Sequence, residues 1–504
     1  MKELSTAELA EIVAAWAGTD PSARRERGRR GYQWAIGATS DQWRRFNALL
    51  LEQTPQARVA ADLLLSVLFS AAEATLWTDE SAREIYLTSD AGAALRRTML
   101  FQWASRADEA CLSEFCQLIV AAPPASSDDG AAVIAPLLQS RDSRVVQLFP
   151  ALLDGLRHVS IAAPILDLAN FLYREQLVAT HPAAGREKEF AQLLTGITQR
   201  LSRLEERPEE VDRELGAVVR DSSALAVALC HTLSLLGAKE QVGCLYQALE
   251  LSHRRIRVEA AAALAKLGES SGEDVLVQMA AEPVVRLFAI AFAEELDLLD
   301  RIPDEHRDDG ARAEAELSLW LAQPAQFGFP PSRVEQLDHR TLYWPGYDEP
   351  VDCFLIRFGY QFDQDEFAAI GLAGPTTYAF AADLSDLPFD DLYAAFAGRD
   401  AEHEEIYEVR YESADEGQRR EAMKLVAKLR SSGYEDVAPR IWGFFFGERT
   451  LTVTATKAGL SAVAVADSGE IFSRQPGAGN RPLGPEEVYC VYKGRKLLRS
   501  FNES

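Results

Sequence analysis

Long uncharged apolar runs are missing from this 504-residue chain. None reaches the ~18 residues a membrane-spanning helix needs, so no such helix is expected. Cysteine is scarce: Cys111, Cys116, Cys230, Cys244, Cys353 and Cys490 are scattered without paired spacing, which excludes a disulfide scaffold and zinc-site geometry. A large chain with so few cysteines reads as a reduced, cytoplasmic protein. Histidine is nearly as rare, and none of the seven stands four residues from another on a helical face; no H-E-x-x-H occurs. Positive charge is also in deficit. Lys and Arg number 52 against 77 Asp and Glu, a formal charge of -25, and such a surface repels nucleic acid and anionic lipid. No Walker A, G-x-S-x-G or strand-linked G-x-G-x-x-G is present, so no cofactor, metal or catalytic residue is assigned.

What the chain does have is helical pattern. Apolar residues are 47% and charged residues 26%, as in an ordinary globular protein, and the length suits about two to four domains. Over the first 320 or so residues, rich in Ala, Leu, Glu and Arg, apolar side chains recur three and four apart, as in the stretches from Asp62, Ala131 and Phe190. Ser5 and Glu8 fit a capping box that opens a first helix rather than a secretory leader. Pro123 to Gly130 reads as a loop. No strand is expected before residue 320.

Repetition then separates a solenoid from a bundle. Ile256-Arg257-Val258 is followed by small residues and ends in Leu264-Ala265-Lys266-Leu267-Gly268; Leu235-Leu236-Gly237 matches that ending 31 residues earlier. Val285-Arg286, with Ala289 and Ala291, repeats the Ile256-Arg257 start 29 residues on. Periods in this range mark helical-pair repeats, and the glycines suit left-handed caps. Over about 221–300 the sequence resembles the HEAT-repeat family, in particular the short bacterial HEAT-like repeats also found in phycobilin lyases. Arg141 to Val146 is an earlier echo. The resemblance implies that Arg257 and Arg286 brace neighbouring repeats.

Composition changes at Pro330-Pro331, which exclude a helix. Beyond them Val351–Tyr360, Arg440–Phe446, Thr450–Thr456, Ser461–Ala466 and Val488–Tyr492 read as strands, with a hairpin turn at Gly447-Glu448-Arg449. Two helices interrupt them, one capped near Asp386 with Pro388 in its first turn, the other Glu416–Arg430. The expected fold is therefore multidomain: an all-α HEAT-like solenoid over 1–322, then an α+β domain over 323–504 with several antiparallel strands and two helices.

Candidate chemistry is sparse. His403-Glu404-Glu405 reads as a solvated acidic face, Asp363 to Glu366 lacks the glycine of a calcium loop, and Gly371 to Thr377 reads as a structural loop. A nucleophile pair such as Cys353 with His339 is the minor alternative, and both Cys353 and Cys490 are expected in strand cores. Two charged features remain as candidates for binding a partner. Arg24, Arg25, Arg27, Arg29 and Arg30 form a basic run before Tyr32 and Trp34, read as a solvated loop or a partner for acidic surface. From Asp383 to Glu416 there are 12 acidic residues against Arg399 and Arg410, with Asp390, Asp391, Glu404 and Glu405 the foremost candidates. The expected function is binding of another protein through a helical-repeat surface. The alternatives are an enzyme or ligand-binding protein related to bilin lyases, and a HEAT-like nucleic-acid binder; the negative charge opposes the latter.

Overall fold

The computed structural model describes residues 4–72, 74–88, 93–106, 108–205, 213–362, 365–382, 384–401, 406–474 and 483–502. The chain splits into two compact units, Met1–Val275 and Leu276–Ser504. No helix among the described residues is long and apolar enough to cross a membrane.

The first unit is helical. Its helices are α1 (Thr6–Ala14), α2 (Pro21–Gly37), α3 (Ser40–Leu51), α4 (Pro55–Ala60), α5 (Asp62–Ser70), α6 (Glu80–Thr88) and α7 (Ala93–Ala104). There follow α8 (Glu109–Ala121), α9 (Ser127–Ser140), α10 (Val159–Arg174), α11 (Glu187–Glu205), α12 (Arg213–Leu235), α13 (Val242–Leu249) and α14 (Arg254–Lys266). The expected capping box forms at Ser5 and Glu8, and another at Thr39 and Gln42. The Pro123–Gly130 break is shorter than its composition implies. Ser126 accepts from the Asp129 N–H and starts α9, so Ser127 to Gly130 are helical.

Packing in this unit follows an order. α2 lies against α5, α5 against α7, α7 against α9, α9 against α10, α10 against α12, and α12 against α14. A second series runs from α3 to α6 to α8, and α11 meets α13. Edge-on aromatic pairs fill the early core: Trp34 with Trp43 at 5.1 Å and Trp77 with Trp103 at 5.2 Å. Gly237 and Gly268 end their helices at φ +66° and +93°, as the repeated Leu-Gly endings require.

After α15 (Ser270–Met279), the second unit contains α16 (Pro283–Glu295) and α17 (Asp309–Leu321), then two antiparallel sheets. One sheet runs β1 (Arg333–Tyr343), β2 (Pro350–Phe362), β3 (Asp365–Ala373) and β4 (Tyr378–Ala379) in sequence order. The helix α18 (Phe389–Asp400) follows. The second sheet orders β5 (Tyr407–Arg410), β6 (Tyr434–Phe445), β7 (Glu448–Lys457), β8 (Leu460–Ala466) and β9 (Ile471–Arg474), with α19 (Glu416–Ser431) between its first two strands. The last helix is α20 (Pro485–Asn502).

Alternation along β2 gives the first sheet two buried faces. Phe354, Ile356 and Phe358 meet Leu317 and Leu321 of α17, while Cys353 and Leu355 share a core with α18 and α20. In the second sheet Leu451 and Val453 pack on Leu425 and Leu429 of α19. α17 thus belongs with the sheets. The packing boundary lies at 275/276, ahead of the change from helix to strand that Pro330-Pro331 marks.

Two readings need correction. Val488–Tyr492 is helical, not a strand, and the region after residue 323 has a third helix. The run is β-branched and aromatic because α20 is buried on several sides: Val488, Tyr489, Val491 and Tyr492 are all core residues. Its crossing with α18 is close enough to need glycine. A Cβ on Gly494 would fall deep inside van der Waals contact with the Ala394 carbonyl oxygen, and one on Gly398 would strike the Cys490 carbonyl oxygen. The helix expected at Asp386 begins slightly later, with Pro388 at the cap position.

Candidate functional site

The basic run lies inside α2 and is not a loop. Asp20 caps this helix by accepting from the Ser22 N–H, and Pro21 occupies its first turn. The arginines then divide by direction. Arg24 turns back, donating from Nε to the Thr19 carbonyl at 3.1 Å, and Arg27 donates to the Thr19 hydroxyl at 2.8 Å. These two fasten the helix start. Arg25 and Arg29 are exposed, with Arg29 bonded to Glu26 at 2.9 Å, and Arg30 is half-buried.

Asp390 and Asp391 stand in the first turn of α18, where carboxylates favour the helix dipole. Asp391 is buried and takes both Arg495 donors at 2.6 Å, fixing α20 against α18. Asp390 is exposed and bonds Arg340 at 2.6 Å. That guanidinium also bonds Asp338 and lies 4.8 Å from the Tyr393 ring centroid. Burial works against the Arg340 charge, and the two carboxylates more than offset it, so its pKa is raised. Both aspartates therefore serve packing contacts within the unit. Glu404 and Glu405, with His403, lie outside the described residues.

Cys353 and His339 do not form a pair. His339 faces Phe354 across the β1–β2 ladder, stacks on it at 4.4 Å, and bonds Asp352 at 3.0 Å. Cys353 faces Arg340, and burial pushes its thiol up to about 12. Cys490 is likewise pushed up to about 11 by burial, in a helix rather than a strand. Among the described residues no group of His, Cys, Asp and Glu is arranged to hold a metal ion.

Two polar clusters were not anticipated. In the second unit a cleft of about 320 Å³ is lined by Arg399, Glu408, Arg410, Glu486, Tyr489 and Lys493. Its charges are largely matched in pairs: Lys493, 6% exposed, bonds Glu408 at 2.8 Å, and Arg410 stands 3.9 Å from Glu486. In the first unit Arg255 bonds Glu259 at 2.5 Å on α14, and Asp167 of α10 lies near. Asp167 is exposed, and the protein packed around it raises its carboxyl, against the pull of Arg255. Arg286, the counterpart of Arg257, is buried. It donates to the Ala280 carbonyl at 2.9 Å and the Ala311 carbonyl at 2.6 Å, tying α16 to α17.

The residues that sequence reasoning missed are apolar and exposed: Ile36 on α2, beside the Tyr32 already noted, Leu63 and Val67 on α5, and Phe101 on α7. The available signal was a second apolar stripe on helices already supplied with an inward one. Compared with protein families and with curated proteins, the chain matches none.

Proposed function

We propose that this chain is a HEAT-like helical-repeat protein that binds another protein through the surface of its first unit, with the α+β unit as an accessory domain. The succession α5, α7, α9, α10, α12, α14, each packed on the next, carries the reading. A row of that kind is how a solenoid grows, each repeat touching its neighbours and leaving long faces open. The left-handed glycine ends at Gly237 and Gly268 support it. Function in such arrays resides in extended surfaces rather than in single side chains.

The test is affinity capture by the full chain from native-host lysate, followed by sizing of the purified complex. One protein recovered in fixed proportion supports the proposal. Recovery of none would sink it.

A further inference from the structure

We infer that the outward face of α2, α5 and α7 receives an acidic amphipathic helix from the partner protein; this rests on the protein-binding reading above and names the chemistry of what binds. A surface helix ordinarily has one apolar stripe, turned to the core. α5 has two. Leu64, Leu65, Leu68 and Phe69 are buried, whereas Leu63 is 74% exposed and Val67 47%. α2 repeats the pattern, burying Gly31, Trp34 and Ala35 while leaving Ile36 59% exposed and Tyr32 42%.

The helices that carry these stripes are neighbours. A Cβ on Gly31 would lie 3.2 Å from Leu68, so α2 sits close on α5. Ser66 bonds Thr98 at 2.7 Å and Gln102 donates to the Ser70 carbonyl at 3.4 Å, which holds α7, with its exposed Phe101, alongside α5. Leu63 and Val67 are four apart, as are Tyr32 and Ile36, and ridges of that spacing seat another helix better than an extended strand.

Charge selects the sign of the occupant. Arg25, Arg29, Tyr32 and Ile36 follow one another at steps of four, three and four, so the apolar stripe of α2 runs into cations. Between Arg24 and Arg30 there are five arginines and one glutamate, so the segment stays net positive after Arg29 pairs with Glu26, in a chain whose formal charge is -25. The span from Arg25 to Ile36 is about three helical turns, or ~17 Å at 1.5 Å per residue. A helix of similar length, with apolar residues three and four apart and carboxylates beside them, complements it.

The test places a photocrosslinking benzophenone side chain at Leu63, and separately at Ile36, in the full chain expressed in its native host. The crosslinked segment is then sequenced by mass spectrometry. Expected is one partner, joined through an acidic helical segment, with yield falling about tenfold or more in the Arg25→Glu/Arg29→Glu chain. A basic or extended segment, a second copy of this chain, lipid, or no product would overturn the inference. Capture by the full chain carrying Ile36→Asp and Leu63→Asp separates the two levels. Both positions are exposed, so the fold survives, as an unchanged melting temperature checks. Undiminished capture removes this surface and leaves the protein-binding reading standing; no capture even by the unaltered chain removes both.

Discussion

His181 shows how one buried side chain sets a pH limit. Its Nδ1 accepts from the Ala183 N–H, so Nε2 carries the proton and meets Asn170 Oδ1 at 3.0 Å, an oxygen that Thr232 also contacts. Burial lowers its pKa from 6.5 to about 4. The folded state therefore binds that proton less readily than the unfolded chain. Stability is full above pH 6.5 and declines as pH falls toward 4, by about 3 kcal/mol. Urea midpoints at neutral pH and at pH 4 should differ less in His181→Gln than in the parent chain. Gly494 sets a steric limit of the same local kind. Gly494→Val pushes α18 and α20 apart and is expected to cost about 3 kcal/mol, read as a lowered melting temperature. Neither role was legible in the sequence, since both depend on residues far along the chain, Thr232 for the His181 cluster and Ala394 for Gly494.

At the scale of elements, α20 is held by charge as well as by its apolar sides. Lys496 bonds Glu448 at 2.7 Å and also pairs with Asp467, whose side chain is fully buried. Burial alone would raise the Asp467 pKa; the Lys496 ammonium and the Glu470 and Gly469 N–H groups instead hold it below the ordinary carboxylate range. Lys496→Met strands that carboxylate and should cost about 3 to 5 kcal/mol, much of it restored in Lys496→Met/Asp467→Asn. Chemical denaturation of the two variants decides. This network spans residues that are far apart in sequence, which is why the helix itself was misread. Val488–Tyr492 has the composition of a strand, and only its tertiary surroundings make it a helix. Patterns that depend on near neighbours fared better. The capping box at Ser5, the strands β2, β6, β7 and β8, and the glycine ends at Gly237 and Gly268 all stand where spacing put them. The basic run was found as composition, but not that Arg24 and Arg27 turn back to Thr19 while Arg25 and Arg29 point outward. The exposed stripe at Leu63 was hidden because α5 is apolar on both sides.

At the scale of the whole molecule, the packing boundary and the composition boundary make different statements about what folds. Residues 323–504 lack α17, and Phe354, Ile356 and Phe358 would then face water, an area worth several kcal/mol at ~25 cal/mol per Å². A fragment 276–504 keeps that cover. It should unfold in one cooperative transition, whereas 323–504 should aggregate; calorimetry and light scattering distinguish them. The scattered cysteines have a last consequence. Five of the six are buried, and all six thiols have raised pKa values, so in the native protein they resist alkylation. Each becomes reactive only when its own surroundings open. Four lie in the first unit and two in the second, so mass-resolved maleimide labelling during a denaturant pulse would time the opening of each half within the intact chain, with no label engineered in.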